Sequence, residues 1–308
     1  MNPIAERLAR QDVIVLDGAL ATELEARGFS ISDALWSAKA LFACPDLVRE
    51  VHLDYLRAGA DVVTSASYQA TVEGFMRCGF TEAEAAALLQ KSVRLAREAC
   101  ELYCSERGVD GGVPLVAASV GPYGAYRADG SEYRGDYGID EDALVAFHAE
   151  RLALLAEEKP DLLACETLPC LVEARAIVRA LREREIRISA WFSFSCRDAA
   201  HIGDGMEIAA CARWLDTVPE AAAIGLNCTA PQYVEDLIRA IRSETAKPIV
   251  VYPNSGEMYD VHERRWYGAA ADFGAEARRW YAAGARLIGG CCRTTPREIA
   301  DIAAWAKI

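Results

Sequence analysis

Eight short apolar runs, rich in β-branched residues, recur along the chain at 13–16, 61–65, 114–119, 162–166, 188–194, 223–227, 248–252 and 286–290. Runs that are apolar throughout, with no polar alternation, are what strands buried on both faces require. Between them lie segments of helical periodicity at 46–56, 81–107, 140–158, 171–185, 205–215, 231–243, 274–283 and 296–307. Thr81, just before Glu82 and Glu84, is an expected helix N-cap. Eight strand–helix units without a linker or low-complexity break predict an α/β fold, the (β/α)8 TIM barrel. A doubly wound sheet is the competing arrangement, but no Gly-x-Gly-x-x-Gly fingerprint follows the first run. With 308 residues, 52% of them apolar, a single domain over 1–308 has enough core.

In such a barrel the chemistry sits at the C-terminal ends of the strands. Cys228 closes the sixth run in Asn227-Cys228-Thr229, and Cys291 and Cys292 close the eighth in Gly289-Gly290-Cys291-Cys292-Arg293. Strands of the same parity face one another across the mouth, so the three thiols can converge on one soft metal ion. Three sulfurs fill three corners of a tetrahedron and leave the fourth for water or substrate, as in a catalytic Zn2+ site. Cys165 and Cys196 are the candidates by position for a fourth ligand. A site closed by such a ligand would instead make the chain a zinc-stabilised barrel or a redox sensor. The remaining cysteines read as small core or surface residues; Cys100 and Cys104 share a helix face, but two sulfurs do not make a metal site.

Other strand ends carry polar groups. The first run leads into Asp17-Gly18-Ala19, the third into Ser119-Val120-Gly121-Pro122-Tyr123, the fourth into Cys165-Glu166-Thr167 and the seventh into Tyr252-Pro253-Asn254-Ser255-Gly256-Glu257. Asp17 alone also fits an ordinary turn cap. Together these ends describe a polar rim able to hold a zwitterion. Segment 123–137, dense in Gly, Tyr and Asp, reads either as a cover over a ligand or as a structured surface loop. Trp36 fits a core anchor equally well. His52, His148, His201 and His262 show no paired spacing, and His52 and His148 lie inside helices, where a structural role is expected.

A net charge of −13 with no basic stretch argues against nucleic-acid binding. The first ten residues do not suit a secretory signal, and no run of about 18 apolar residues occurs, so a cytoplasmic protein without membrane spans is expected. In that compartment the eleven cysteines are not expected to pair as disulfides.

Five strings carry a family resemblance: Asp17-Gly18-Ala19-Leu20-Ala21-Thr22-Glu23-Leu24, Ala66-Ser67-Tyr68-Gln69-Ala70-Thr71, Ser119-Val120-Gly121-Pro122-Tyr123-Gly124, Tyr252-Pro253-Asn254-Ser255-Gly256-Glu257 and Gly289-Gly290-Cys291-Cys292-Arg293-Thr294-Thr295-Pro296. Over nearly the whole chain they resemble the homocysteine S-methyltransferase family. Ser131-Glu132-Tyr133-Arg134-Gly135-Asp136-Tyr137 is similar to the bacterial and plant members that use S-methylmethionine. Betaine-dependent and cobalamin-dependent relatives share only the barrel and the shorter motifs. The resemblance implies a Zn2+ held by Cys228, Cys291 and Cys292. It also implies that Asp17 and Glu166 hold the homocysteine amino group, with the Gly18 and Ala19 amides near its carboxylate. The partners it implies are small molecules, homocysteine and a sulfonium methyl donor.

The chemistry is consistent with the residues themselves. A free alkyl thiol of pKa about 8.5 is only a few per cent thiolate at neutral pH, and a coordinating cation shifts it to the deprotonated form. Three thiolates already outweigh a divalent ion, so a substrate thiolate joining them stays electron-rich. No histidine base is needed. The electrophile is then a methyl group on a positively charged leaving atom, and the main task is in-line positioning. S-adenosylmethionine or a corrinoid protein as donor, and selenocysteine as acceptor, are alternatives that keep this chemistry.

Overall fold

The structure, a computed structural model, describes residues 2–30, 36–107, 112–260, 265–267 and 272–307. Eight parallel strands form the barrel: β1 (Ile14–Val15), β2 (Val62–Thr64), β3 (Leu115–Val120), β4 (Leu162–Leu168), β5 (Ala190–Phe194), β6 (Ala221–Asn227), β7 (Ile249–Tyr252) and β10 (Ala285–Ile288). Between β7 and β10 an antiparallel hairpin adds β8 (Met258–Asp260) and β9 (Arg265–Tyr267). Neighbours in sequence are neighbours in the sheet from β2 to β7. The sheet then passes to β10 and β1, and a parallel bridge between Leu16 and Val62 joins β1 back to β2.

The apolar runs form strands because both of their faces are covered. Inward residues such as Ile14, Val62, Leu162, Trp191, Val250 and Leu287 pack into one interior cluster. Alternate residues such as Val15, Val63, Leu163, Phe192, Val251 and Ile288 pack against the helices. Each fully buried side chain of this size stabilises the fold by about 1.5–3 kcal/mol relative to exposure, and that selects the register. Among the described residues the eight longest helices lie between the strands or after the last: Pro45–Arg57, Glu82–Arg107, Glu141–Glu157, Leu171–Glu183, Ile208–Asp216, Pro231–Arg242, Phe273–Ala283 and Pro296–Ala306. Among the described residues no helix is long and apolar enough to cross a membrane.

Local signals set the helix starts. Thr81 and Glu84 form a reciprocal cap, Glu84 N donating to Thr81 Oγ1 at 3.3 Å and Thr81 N to Glu84 Oε2 at 2.8 Å. Thr295 and Glu298 form a second capping box, with Pro296 in the first turn. It pins the chain three residues after Cys292. An element outside the eightfold pattern, the helix Pro3–Leu8, is capped by Asn2 and places Ile4 in the interior cluster, beneath the strands' N-terminal ends.

Candidate functional site

The opposite end of the barrel gathers polar side chains. Cys228 follows β6 directly and takes a left-handed backbone at φ 50°, a conformation costing an L-residue roughly 1–2 kcal/mol. Thr167, in β4, shares it at φ 58°. Asn227 holds this region together. Its Oδ1 accepts from Thr167 N at 2.7 Å and Ser193 Oγ at 2.8 Å, while its Nδ2 donates to Thr167 Oγ1 at 2.7 Å. Cys228 N donates to Tyr252 O at 3.2 Å, which ties the turn to β7.

Past β10, the Gly289-Gly290 pair lets the chain pass against β1. A Cβ on Gly289 would lie 2.6 Å from Leu16 Cβ, and one on Gly290 2.4 Å from Thr294 Oγ1. Gly290 N donates to Asp17 O at 3.1 Å, Cys291 N to Pro253 O at 2.8 Å, and Ser255 N to Cys292 O at 3.0 Å. Both cysteines are thus fixed by backbone bonds to β1 and to the β7 loop.

These constraints bring the three sulfurs together. Cys228 Sγ lies 3.0 Å from Cys291 Sγ and 3.5 Å from Cys292 Sγ, and the last two are 4.0 Å apart. A tetrahedral Zn2+ with bonds of about 2.3 Å separates its sulfurs by about 3.8 Å, inside this range. The separations are far beyond the roughly 2.05 Å of a disulfide. Without a metal, hydrogen bonds from Cys228 and then Cys291 hold the Cys292 thiol well below its usual range. Cys291 is pushed up, first by its hydrogen bonds to Cys228 and Cys292.

Among the described residues these three are the one group of His, Cys, Asp or Glu ligands with all atoms within 4.8 Å of one another. Cys165 and Cys196 stay out of it. Cys165 faces the helix layer, buried beside Leu163 and Phe192 in the outer cluster. Cys196 turns its sulfur to Phe194 O at 3.8 Å. No fourth cysteine therefore closes the site.

Two carboxylates lie buried in the same mouth. Asp17 accepts from Thr64 N at 2.7 Å and Thr64 Oγ1 at 3.0 Å. Burial pushes its pKa up to about 7 against the lowering effect of Thr64, and Glu166 adds repulsion. Glu166 sits two residues before the end of β4, so that strand runs past the expected boundary. It accepts from Ser119 Oγ. Burial raises it too to about 7, opposed by hydrogen bonds from Ser119 and Tyr252. Both acids are thus held against ionisation by burial, and at Asp17 the charge of Glu166 adds to it. The turn at Gly18 is clamped by Tyr55, whose hydroxyl is 3.1 Å from both Ala19 O and Thr294 O. The Ala19 amide makes one long bond, 3.4 Å, to Thr294 O.

Segment 123–137 lies over the thiols. It folds as a helix, Tyr123–Arg127, and a 3-10 turn, Ser131–Tyr133, and brings Tyr133 OH to 3.6 Å from Cys228 Sγ. Glu173, fully buried on the helix Leu171–Glu183, fastens both ends. It accepts from Tyr123 N at 2.5 Å and from Tyr137 OH at 2.8 Å, and pairs with His148 Nε2 at 3.0 Å. His148 is structural, as expected, but as an anchor of this roof. Arg151 donates to Gly121 O at 2.9 Å and to Ser67 O and Tyr68 O at 2.6 Å, which joins the loops after β2 and β3. Glu173, Arg151, Thr64 and Asn227 had no assigned role from sequence. The available signal was their position: Thr64 and Asn227 end strands, while Arg151 and Glu173 are charges on helix faces that are otherwise apolar.

His52 is buried, and burial lowers its pKa to about 4. His201 pairs with Asp198 at 2.8 Å in a surface turn, and His262 lies outside the described residues. Trp36 opens a 3-10 turn, Trp36–Lys39.

Comparisons with known proteins identify the family. Residues 14–306 match the homocysteine S-methyltransferase family. Homocysteine S-methyltransferase YbgG of Bacillus subtilis is 53% identical over 311 residues, covering 100% of this chain and 98% of the relative. A selenocysteine methyltransferase of Astragalus bisulcatus is 44% identical, covering 94% of this chain and 90% of the relative. The metallated crystal form of the Escherichia coli homocysteine methyltransferase MmuM superposes with a TM-score of 0.89 at 48% identity, covering 98% of this chain and 99% of that one. With the barrel, the thiol triangle and matches along its whole length, the chain is an enzyme of the homocysteine S-methyltransferase family.

Proposed function

We propose that the enzyme transfers a methyl group from a sulfonium donor, S-methylmethionine foremost, to the thiolate of L-homocysteine, giving methionine. The observation that carries this reading is the triangle of Cys228, Cys291 and Cys292, within 4.8 Å of one another, beside two buried acids. The three thiols are the ligands for Zn2+, and their spacing suits that ion. When bound, Zn2+ supplies a deprotonated acceptor thiol near neutral pH.

The chain's own groups do the rest. Asp17 and Glu166 take the substrate ammonium, which resolves their mutual repulsion. The Gly18 and Ala19 amides face its carboxylate, and the long Ala19 bond to Thr294 O leaves that donor available. Tyr133, in the roof, places its hydroxyl against the Cys228 thiol. The acceptor sulfur's electron pair forms the new S–C bond, while the pair of the broken bond stays on the donor sulfur. Bringing sulfur, methyl and leaving sulfur into line accounts for most of the rate.

The test is a donor panel with homocysteine: S-methylmethionine, S-adenosylmethionine and a methylated corrinoid protein. A kcat/KM at least about tenfold higher for S-methylmethionine is expected, which is about 1.4 kcal/mol of transition-state discrimination. Equal or better use of another donor would transfer the assignment to it. Selenocysteine as acceptor is the second reading, favoured by the selenocysteine methyltransferase relative; direct acceptor competition decides between them. X-ray absorption on the zinc-loaded enzyme should show one more sulfur neighbour when homocysteine is added.

Gly290→Ala tests the site without touching a thiol. Its Cβ would displace Thr294, whose Oγ1 donates to Cys291 O at 2.6 Å. Metal affinity should fall about 10–100-fold, as when a group supporting a ligand is lost. Metal competition with a chromogenic chelator measures this.

A further inference from the structure

We propose that Glu132 recognises the positive charge of the methyl donor: its carboxylate, held in the roof over the three thiols, is the counter-charge for the donor sulfonium. This rests on the functional reading above and adds to it the residue that selects the donor.

Glu132 is the middle residue of the Ser131–Tyr133 turn. The next residue, Tyr133, reaches Cys228 Sγ at 3.6 Å, so the turn stands beside the thiol group. Glu132 Oε2 is buried and has no hydrogen-bond partner, and the adjacent Ser131 Oγ is likewise buried and unpartnered. The backbone of the turn is well held by contrast: Ser195 Oγ donates to Glu132 O at 3.1 Å. A Cβ on Gly124 would lie 2.3 Å from Glu132 N, so the helix Tyr123–Arg127 packs tightly against the turn. A rigid frame has therefore placed the carboxylate where it is, with Oε2 left unpartnered although the residue's own amide bonds the group.

Its surroundings deepen the anomaly. Glu132 acts electrostatically on Cys292 and on Tyr68; burial disfavours its charge, its own amide opposes that, and Cys228 adds repulsion, the net shift being upward. It stands outside the group of ligand atoms that lie within 4.8 Å of one another, so it does not belong to the metal site. A half-buried carboxylate with one oxygen buried and unpartnered is costly, and one beside thiolates more so. Both costs are relieved by one event, the arrival of a permanent cation between Glu132 and the acceptor sulfur. A sulfonium is such a cation. The thioether left after transfer is neutral, so the same carboxylate favours the donor over its demethylated product.

Glu132→Gln keeps the shape of the side chain and removes its charge. At saturating homocysteine, the KM for S-methylmethionine should rise about 30-fold or more, the factor associated with losing one partner of a buried charge pair. The thermal midpoint should be unchanged, and zinc content and the calorimetric Kd for homocysteine should stay within about twofold of wild type, as should inhibition by methionine, the demethylated donor whose sulfur is neutral. Glu132→Asp should recover part of the loss. A donor KM within twofold of wild type in Glu132→Gln would overturn the proposal. So would parallel rises for methionine and homocysteine, which would make the residue a structural support. A wild-type enzyme that takes no methyl group from a sulfonium would overturn the functional reading itself, and this one with it.

Discussion

Alanine in place of Cys228, Cys291 or Cys292 is expected to remove bound metal and lower turnover about a thousandfold or more. Two losses combine. A free thiol of pKa about 8.5 is only about 3% thiolate at pH 7, a factor of about thirty. A reacting sulfur left about 1 Å out of place costs on the order of a further hundredfold. The backbone bonds that place the three sulfurs do not involve the side chains that are removed, so the fold should survive. Metal analysis of each variant, with stopped assays at saturating substrates, checks both parts. A metal-free variant with wild-type turnover would sink the assignment.

Asp17→Ala and Glu166→Ala come second in size. Each leaves one buried acid to hold the substrate ammonium, and removing a partner from a buried charge pair costs about 2–5 kcal/mol. The KM for homocysteine should rise at least about 30-fold with metal content unchanged. An unaltered KM and kcat would return the residue to a structural role. A pH signature accompanies this. Both acids titrate at about 7 in the free site, so below that pH they are protonated and do not counter the ammonium. Homocysteine binding should weaken as pH falls below about 7, and Glu166→Gln should remove one proton from that dependence. The folded free enzyme holds these protons more tightly than the unfolded chain, so its stability should fall as pH rises from about 4 to about 7. Homocysteine should restore it.

The barrel was legible in the sequence because strands covered on both faces must be apolar throughout, and 223–227 or 248–252 have few other readings. Cys228, Cys291 and Cys292 were legible as well, since strand ends of a barrel converge on the mouth. Elements with no period to detect were not. The Pro3–Leu8 helix has six residues, too few for an amphipathic pattern to stand out. The reach of β4 beyond Glu166 to Leu168 was hidden because Thr167 looks like the start of a loop, yet its amide is held by Asn227 inside the barrel. Glu173 was the hardest to see. A glutamate in the first turn of a helix is ordinary surface chemistry, and only the packing of the helix Glu141–Glu157 and the 123–137 segment against it makes it a fully buried hub. Segment 123–137 could be read as a cover or as a surface loop, and the sequence did not choose between them, because what it covers is set by contacts many residues away.

The anchoring of that roof bears on re-engineering. Its first and last tyrosines close on one carboxylate carried by a different helix, so the segment behaves as a cassette whose socket lies elsewhere in the chain. Grafting 123–137 from a relative with another donor preference would carry the plug without the socket. A working exchange must move Glu173 and His148 with it, or keep Tyr123 and Tyr137 fixed and vary only the turn between them.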